Sequence, residues 1–125
     1  RKLLVYFALL LALRGGFVLA DGGSLSEAMA ALLARARAES AVPVTYADVW
    51  EFWLRHADAL RDQVDTVTVH ILPYWEDEPV GVGHAVGHVV AIAARVRDRF
   101  GAQPVFIGET GWPAEGRQRG TGCRR

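Results

Sequence analysis

Segments with helical and strand-like patterns alternate along most of this chain, and this order restricts the possible fold more than any other feature. Apolar residues at helical spacing predict three helices, over residues 25–39, 49–61 and 83–100. Short apolar runs rich in β-branched residues predict three strands, over residues 41–46, 64–72 and 105–107. Because such alternation is typical of βαβ units, the sequence predicts an α/β fold with a parallel sheet and right-handed crossovers.

The middle strand has two faces of different character, since successive side chains point to opposite sides. One face carries the apolar residues Val67, Val69 and Ile71. The other face carries Thr66, Thr68 and His70. We expect the apolar face to pack against helices and the polar face to point into a barrel interior, with His70 nearest the carboxyl end of the strand.

A carboxylate enclosed by glycines follows the last predicted strand. Residues 104–113 read Pro-Val-Phe-Ile-Gly-Glu-Thr-Gly-Trp-Pro, which puts Glu109 at the carboxyl end of a buried strand. Catalytic residues protrude there in barrel and open α/β folds. Gly108 and Gly111 permit close approach of the backbone, and Trp112 offers a ring face beside the acid. The pattern predicts an active-site acid, and the alternative is a solvated Glu before a Gly-Trp-Pro turn.

Further polar and aromatic residues are expected at the same edge of the sheet. Tyr46 and His70 are predicted to end their strands in positions equivalent to that of Glu109. Asp48 and Glu51 are candidate ligands for sugar hydroxyls, and the alternative for both is an acid that complements the dipole at a helix N-terminus. Glu51 is better explained as an acid that complements the dipole at a helix N-terminus.

The loop at residues 73–78, Pro-Tyr-Trp-Glu-Asp-Glu, adds two rings and three acids to this edge. An exposed pair of rings, Tyr74 and Trp75, beside carboxylates such as Glu76 is an unfavourable surface unless it contacts a ligand. The usual ligand is a sugar, since its apolar faces stack on aromatic rings while its hydroxyls bond to nearby acids. The alternative is that the two rings merely cover the end of the barrel.

Three of these segments resemble consecutive segments of bacterial family 17 glycoside hydrolases. They span residues 42–53, 65–78 and 107–113, and the last contains the family's signature Gly-Glu-Thr-Gly-Trp-Pro. The resemblance covers about residues 25–119. It implies a (β/α)8 TIM barrel, a β-1,3-glucan substrate and a retaining mechanism with Glu109 as nucleophile.

The resemblance implies an enzyme of the β-1,3-glucanase or glucan transglycosylase kind. Some bacterial members are attached to membranes and remodel β-glucans, so hydrolysis and glucosyl transfer both stay open, and the cell envelope is favoured for the parent protein. The residues predicted to orient the nucleophile and the sugar are Tyr46, His70 and Tyr74. The residues predicted to contact the sugar directly are Asp48, Trp75, Glu76 and Trp112.

A second carboxyl group is required for this mechanism. Retaining glycosidases hold two carboxyl groups about 5–5.5 Å apart, one as nucleophile and one as acid. The resemblance implies that the acid comes from a Val-Gly-Asn-Glu segment, in the barrel unit that precedes the helix at residues 25–39. In this chain residues 14–17, Arg-Gly-Gly-Phe, occupy the matching position. Phe17 cannot donate a proton, so we expect no acid at that separation from Glu109 and no activity from this chain alone. The alternative function is a carbohydrate-binding remnant without catalysis.

The length of the chain predicts a partial barrel. A typical barrel has about 250 residues, and this chain has 125. It contains strands resembling the fifth to seventh and, near residues 14–17, a distorted fourth, so we expect a fragment. Val44, Val69 and Val105 would then meet water, and we expect the chain to be poorly soluble or to associate along its unpaired strand edges.

The two ends of the chain depart from the predicted glycosidase-like domain at residues 24–116. Residues 1–23 begin with Arg-Lys and an apolar run that is too short to span a bilayer. A signal-like leader, a truncated membrane anchor and a degraded barrel strand stay open for this segment. Residues 117–125 are rich in Arg and are predicted to be a disordered tail.

Composition argues against several other classes of function. Lys plus Arg equals Asp plus Glu at 14 each, so no nucleic-acid partner is predicted. One Cys excludes an internal disulfide framework. His84 and His88 share a helix face but lack the Glu and the third ligand of the zinc-protease pattern, so no metal and no other cofactor is predicted.

Overall fold

A three-stranded parallel sheet with helices packed against it is the framework of the computed structural model, which describes residues 25–115. The helices are α1 Leu25–Glu39, α2 Trp50–Leu60 and α3 Val82–Phe100, and a 3-10 helix Arg61–Gln63 follows α2. The strands are β1 Thr45–Val49, β2 Thr66–Ile71 and β3 Val105–Thr110, in the order β1-β2-β3. The predicted α/β alternation and parallel pairing are confirmed. The predictions for residues 1–24, including Phe17, and for residues 116–125 lie outside the described residues.

Strand β1 begins later than the sequence predicted. It runs Thr45–Val49, whereas the prediction was residues 41–46. Pro43 has no N–H to offer a neighbouring strand. Val44 donates its backbone N–H to Asp65 Oδ2 at 2.8 Å, so a side chain takes the place of a ladder hydrogen bond before the strand begins.

The register puts the carboxyl ends of the three strands at one level. Val49 pairs with His70, and His70 pairs with Glu109. Tyr46 pairs instead with Val67, deeper in the sheet, so its predicted terminal position is wrong. The reason is that β1 continues for three residues beyond Tyr46.

The apolar face of β2 is buried against the helices, as its alternation predicted. Two aromatic rings, Trp53 of α2 and Phe100 of α3, meet edge to face with their centroids 5.6 Å apart. They are buried together with Val67, Val69 and Ile71. Burial of these large side chains is the main source of stability for the sheet and its helices.

The apolar residues that meet water differ from those predicted. Val69 is 0% exposed, Val44 is also buried, and Val105 packs against the core. These side chains point to the helix face, so the predicted contact with water is wrong. Phe106 and Ile107 of β3 are exposed instead, so the prediction that β3 is a buried strand is wrong. Phe106 lies on the open face of the sheet beside Thr68, and β3 is an outer strand of the described sheet. Association along the strand edges stays a prediction.

Helix α3 ends at a glycine, as the sequence predicted. Gly101 has a φ of 63°, a conformation that favours Gly, and donates its N–H to Arg97 O at 2.8 Å. With 19 residues α3 is the longest helix in the described range. Neither it nor another helix in residues 25–115 is long and apolar enough to cross a membrane.

Two glycine substitutions at α3 are expected to change stability in opposite directions. Gly101→Ala puts a Cβ on a residue with positive φ and should lower the free energy of unfolding by about 1 kcal/mol. Gly87→Ala adds a Cβ with no atom within 4 Å inside the helix and should raise it by about 0.5–1 kcal/mol. Thermal unfolding followed by circular dichroism measures both. A Gly101→Ala chain as stable as the Gly87→Ala chain would contradict the backbone argument.

Candidate active site

His70 and Glu109 lie side by side at the carboxyl ends of β2 and β3. They pair in the register, and His70 Nδ1 is 3.4 Å from Glu109 Oε2. The His70 side chain is 13% exposed, whereas that of Glu109 is 52% exposed. A largely buried imidazole thus adjoins a carboxylate that is open to solvent, which is the juxtaposition that the strand pattern predicted. When His70 is protonated, the two groups form an ion pair.

A cleft of about 300 Å³ lies along the open face of the sheet at this pair. Its wall includes Thr45, Thr68, Phe106 and Glu109. The hydroxyls of Thr45 and Thr68 are 2.7 Å apart and link β1 to β2 across this face. A second cleft, of about 260 Å³, also borders His70 and has Trp75 and Asp77 in its wall. His70 therefore borders both clefts.

Gly108 allows β3 to approach His70 closely. A Cβ on Gly108 would lie 2.6 Å from Thr68 Cγ2 and 3.2 Å from both Cδ2 and Nε2 of His70. The register shifts at this point, between Val69 and His70, so that Glu109 rather than Gly108 pairs with His70. The absence of a side chain at Gly108 thus makes room for the imidazole beside the Glu109 carboxylate.

Three aromatic rings meet at the same edge of the sheet. The Tyr74 ring centroid is 5.3 Å from that of Trp75 and 5.3 Å from that of Trp112, with edge-to-face geometry in both pairs. Trp75 is 48% exposed. The cluster joins the loop after β2 to the segment after β3, which are the strands that carry His70 and Glu109. The predicted rings therefore contact one another, in the segments that follow the strands of His70 and Glu109.

Tyr46 and Asp48 lie on the helix face of β1 rather than at the open edge. The Tyr46 ring centroid is 5.9 Å from that of Phe52 and 5.8 Å from that of Trp53. Its hydroxyl donates to Asp48 Oδ2, and Asp48 Oδ1 accepts from Val49 N at 2.7 Å. Burial raises the pKa of the Tyr46 phenol, and the Asp48 carboxylate raises it further. Both oxygens of Asp48 thus have partners within the chain. Contact of Tyr46 and Asp48 with a substrate stays a prediction.

Glu76 also differs from the rim acid that was predicted. Its side chain is 9% exposed. Oε1 accepts a hydrogen bond from Leu72 N at 3.0 Å, and Oε2 is 2.7 Å from His88 Nε2 on α3. The carboxylate faces inward, where the backbone N–H of Leu72 at the end of β2 and the imidazole of His88 on α3 are the partners of its two oxygens. Both oxygens of Glu76 therefore have partners within the chain, and its contact with sugar hydroxyls stays a prediction.

A solvent-open acid beside an imidazole at the carboxyl edge of a parallel sheet, with three rings in the segments that follow the same two strands, is an arrangement suited to carbohydrate chemistry. A protein-family model, that of the BtgE/BtgC glycoside hydrolase domain, matches residues 18–124. The chain belongs to this family. No curated protein and no solved structure matched the chain. Membership confirms the predicted glycoside hydrolase class and implies a carbohydrate substrate.

Glu51 of this BtgE/BtgC domain lies in the first turn of α2, as its interpretation as a helix N-terminal acid predicted. Burial raises the pKa of its carboxyl, and the negative charges of Glu76 and Asp77 raise it further. A backbone hydrogen bond and His88 act in the opposite direction. Glu51 therefore keeps its proton to a higher pH in the folded chain than in the unfolded chain.

Glu51→Gln is expected to stabilise the BtgE/BtgC domain at neutral pH. Because the pKa of Glu51 is raised in the folded chain, this group stabilises the fold at pH values below the ordinary Glu pKa of 4.5. That stabilisation is lost as the pH rises through the folded-state pKa. Gln removes the charge that causes the loss, so the Tm should rise by roughly 2 °C at pH 7 and by less near pH 4. Thermal unfolding at both pH values measures this, with the exposed loop acid Glu78→Gln as control. A gain that is equal at the two pH values would contradict the electrostatic cause.

Sequence reasoning missed His88 as the partner of Glu76. The four-residue spacing of His84 and His88 is typical of a pair of metal ligands. No metal site was predicted, because the sequence lacks the Glu and the third ligand of the zinc-protease pattern. Within residues 25–115 no group of three or more His, Cys, Asp or Glu side chains is arranged to hold a metal ion. The two partners in this BtgE/BtgC domain are 12 residues apart, and the path of the intervening loop determines their contact.

Proposed function

We propose that the chain acts on β-1,3-glucan in the manner of a family 17 glycoside hydrolase, by a retaining mechanism with Glu109 as nucleophile. We propose in addition that the described sheet is part of a (β/α)8 barrel. The observation that carries the proposal is the half-exposed Glu109 carboxylate at the carboxyl edge of a parallel sheet, 3.4 Å from His70.

The proposed reaction requires two carboxyl groups, one as nucleophile and one as general acid. Glu109 attacks the anomeric carbon while the glycosidic C–O bond breaks and a general acid protonates the departing oxygen. The glycosyl ester then passes its sugar to water or to a sugar hydroxyl, and the carboxylate is regenerated. His70 restricts the orientation of the Glu109 carboxylate. The family resemblance puts the general acid outside residues 25–115.

The ring cluster supports a sugar as the substrate. Trp75 is half-exposed, and Tyr74 connects it to Trp112, which follows Glu109 by three residues. Flat apolar ring faces beside an acid favour contact with a pyranose, whose C–H faces stack on aromatic side chains. Such contacts orient a sugar chain across the carboxyl edge of the sheet, over the nucleophile.

The faces of the sheet support the barrel. In a (β/α)8 barrel one face of each strand packs under helices and the other lines the interior. Here Val67, Val69 and Ile71 are covered by helices, and the opposite face carries the cleft with Thr68 and His70. Parallel order and level carboxyl ends are the other two features that a barrel requires.

Carbohydrate binding without hydrolysis is the second candidate function. The observation that favours it is Phe17, which stands where the resemblance implies the general acid. A phenyl ring cannot protonate a leaving oxygen, so natural glucans would be bound and not cleaved by this chain.

Titration calorimetry with β-glucan oligosaccharides tests the proposed substrate. Laminarihexaose, which is β-1,3-linked, should bind more tightly than cellohexaose, which is β-1,4-linked. Trp75→Ala should weaken the binding about fivefold, because an exposed ring contributes on the order of 1 kcal/mol through stacking. Val42→Ala removes an exposed apolar side chain before the amino end of β1 and serves as control, with an unchanged Kd expected.

The outcomes of this experiment separate the two candidate functions. Binding of laminarihexaose without release of reducing sugar from laminarin would support binding without hydrolysis. Release of reducing sugar would support the glycosidase and would show that Phe17 does not prevent turnover. Equal affinity for the two oligosaccharides would contradict β-1,3 specificity.

A further inference from the structure

The loop between β2 and α3, residues 72–81, is organised around the Glu76 side chain. Trp75 N and Glu76 N both donate to Leu72 O, at 2.8 and 3.2 Å, and Val80 N donates to Pro73 O at 2.8 Å. Glu76 Oε1 accepts from Leu72 N at 3.0 Å. Glu76 therefore contacts both polar backbone groups of Leu72, the first residue after β2.

The other oxygen of this carboxylate connects the loop to α3. Glu76 Oε2 is 2.7 Å from His88 Nε2, and the two side chains are 9% and 21% exposed. A hydrogen bond between a carboxylate and an imidazole is stronger than one between neutral groups, and the low exposure of Glu76 limits its access to solvent. Loss of either partner would leave a buried polar group unpaired.

The aromatic residues of the loop immediately precede this anchor. Tyr74 and Trp75 come directly before Glu76, and their rings meet edge to face. Glu76 is directed inward to Leu72 and His88, while Trp75 is half-exposed at the edge that carries Glu109. A side chain anchored inward and a half-exposed ring thus belong to consecutive residues of the loop.

We propose that Glu76 and His88 are positioning residues that hold Trp75 and Tyr74 in place for contact with the sugar. Glu76 itself does not touch the sugar, since its two oxygens are occupied within the chain. This inference rests on the proposed function, because it assigns the rings to sugar binding.

Fluorine NMR of the chain labelled with 5-fluorotryptophan tests the positioning without any sugar. The chain has four Trp residues, and Trp→Phe variants assign their resonances. His88→Phe keeps an aromatic ring but removes the nitrogen, and should shift or broaden the resonance of Trp75. The resonance of the buried Trp53 should stay unchanged. His84→Phe, an exposed position one turn earlier on α3, is the matched control and should move neither.

Binding of laminarihexaose to the same variants measures the consequence. His88→Phe should raise the Kd about tenfold, as expected when a buried hydrogen-bond partner is removed. His88→Gln supplies an amide N–H near the original nitrogen and should restore the Kd to within about twofold. A purely structural role for His88 would lower the Tm of His88→Phe without moving the Trp75 resonance or the Kd.

The two measurements distinguish failure of this inference from failure of the proposed function. An unchanged Trp75 resonance in His88→Phe would overturn the positioning role, whatever the sugar does. A shifted resonance in a chain that binds no glucan would support the positioning role and count against the proposed substrate. If His88→Phe also moves the Trp53 resonance, Glu76→Met decides, because Met has a similar length but no oxygen to bond Leu72 N or His88: a shift of the Trp75 resonance supports the inference, and no shift overturns it.

Discussion

Glu109→Gln is expected to abolish covalent labelling of the chain by an activated 2-deoxy-2-fluoro glycoside of a β-1,3-linked disaccharide. A dinitrophenolate leaving group departs without a proton, so the reaction requires the nucleophile and not the general acid. The Glu109 carboxylate attacks the anomeric carbon, the bond to dinitrophenolate breaks, and the fluorine slows hydrolysis of the resulting ester. Gln offers no carboxylate oxygen, so the labelling rate should fall by more than about 1000-fold.

Intact-mass spectrometry followed by peptide mapping measures this result. We expect one adduct, on the peptide that contains Glu109. Glu78→Gln, which neutralises an exposed acid of the β2–α3 loop, is the control and should label at the rate of the unmodified chain. An adduct on a different carboxylate, or unchanged labelling of the Glu109→Gln chain, would refute the assignment of Glu109 as nucleophile.

Gly108→Ala is expected to slow the same labelling reaction by roughly 10–100-fold while the chain stays folded. The new Cβ would lie 2.6 Å from Thr68 Cγ2 and 3.2 Å from the His70 ring, so the Thr68 methyl group, the imidazole or β3 must move. The 2.7 Å hydrogen bond between the Thr68 and Thr45 hydroxyls opposes rotation of the Thr68 side chain, and movement of the imidazole or of β3 changes the relation between His70 and Glu109. A displacement of about 1 Å at a catalytic group can cost about 100-fold in rate.

Two further variants test whether crowding is the cause. Gly111→Ala adds a Cβ with no atom within 4 Å and should label at nearly the original rate. Thr68→Ser removes the crowded methyl group but keeps the hydroxyl, so the Thr68→Ser/Gly108→Ala chain should recover part of the lost rate. No recovery in the double variant, or a Gly108→Ala chain that labels normally, would contradict the close-approach argument.

The order and type of the elements could be read from the sequence because local patterns determine them. The spacing of apolar residues along α3 and the alternation in β2 depend on neighbours within one or two turns of chain. The same alternation predicted which face of β2 is buried, and Val69 lies there. Val69, Val44 and Val105 were expected to meet water because the opposite strands of the barrel are missing. That expectation was wrong because these side chains point to the helices and not to the barrel interior.

The candidate site could be predicted in part. His70 and Glu109 were expected together because both follow apolar strand residues, and they pair in the register. Tyr46 was misplaced because a strand end depends on its partner strand, and β1 continues to Val49. Glu76 was misplaced because its neighbours in the chain are exposed, and nothing local indicates that it turns inward.

The sequence by itself determined the α/β alternation, the parallel sheet, the carboxylate at the carboxyl end of β3 and the ring-bearing loop. Each of these depends on residue type and on spacing over a few residues. Tertiary structure alone decided the register that pairs His70 with Glu109 and the inward turn of Glu76 toward His88. His70 and Glu109 are separated by 39 positions in the chain, and Glu76 and His88 by 12. The free energy of such contacts depends on burial and on distance, and the local pattern of residue types contains neither.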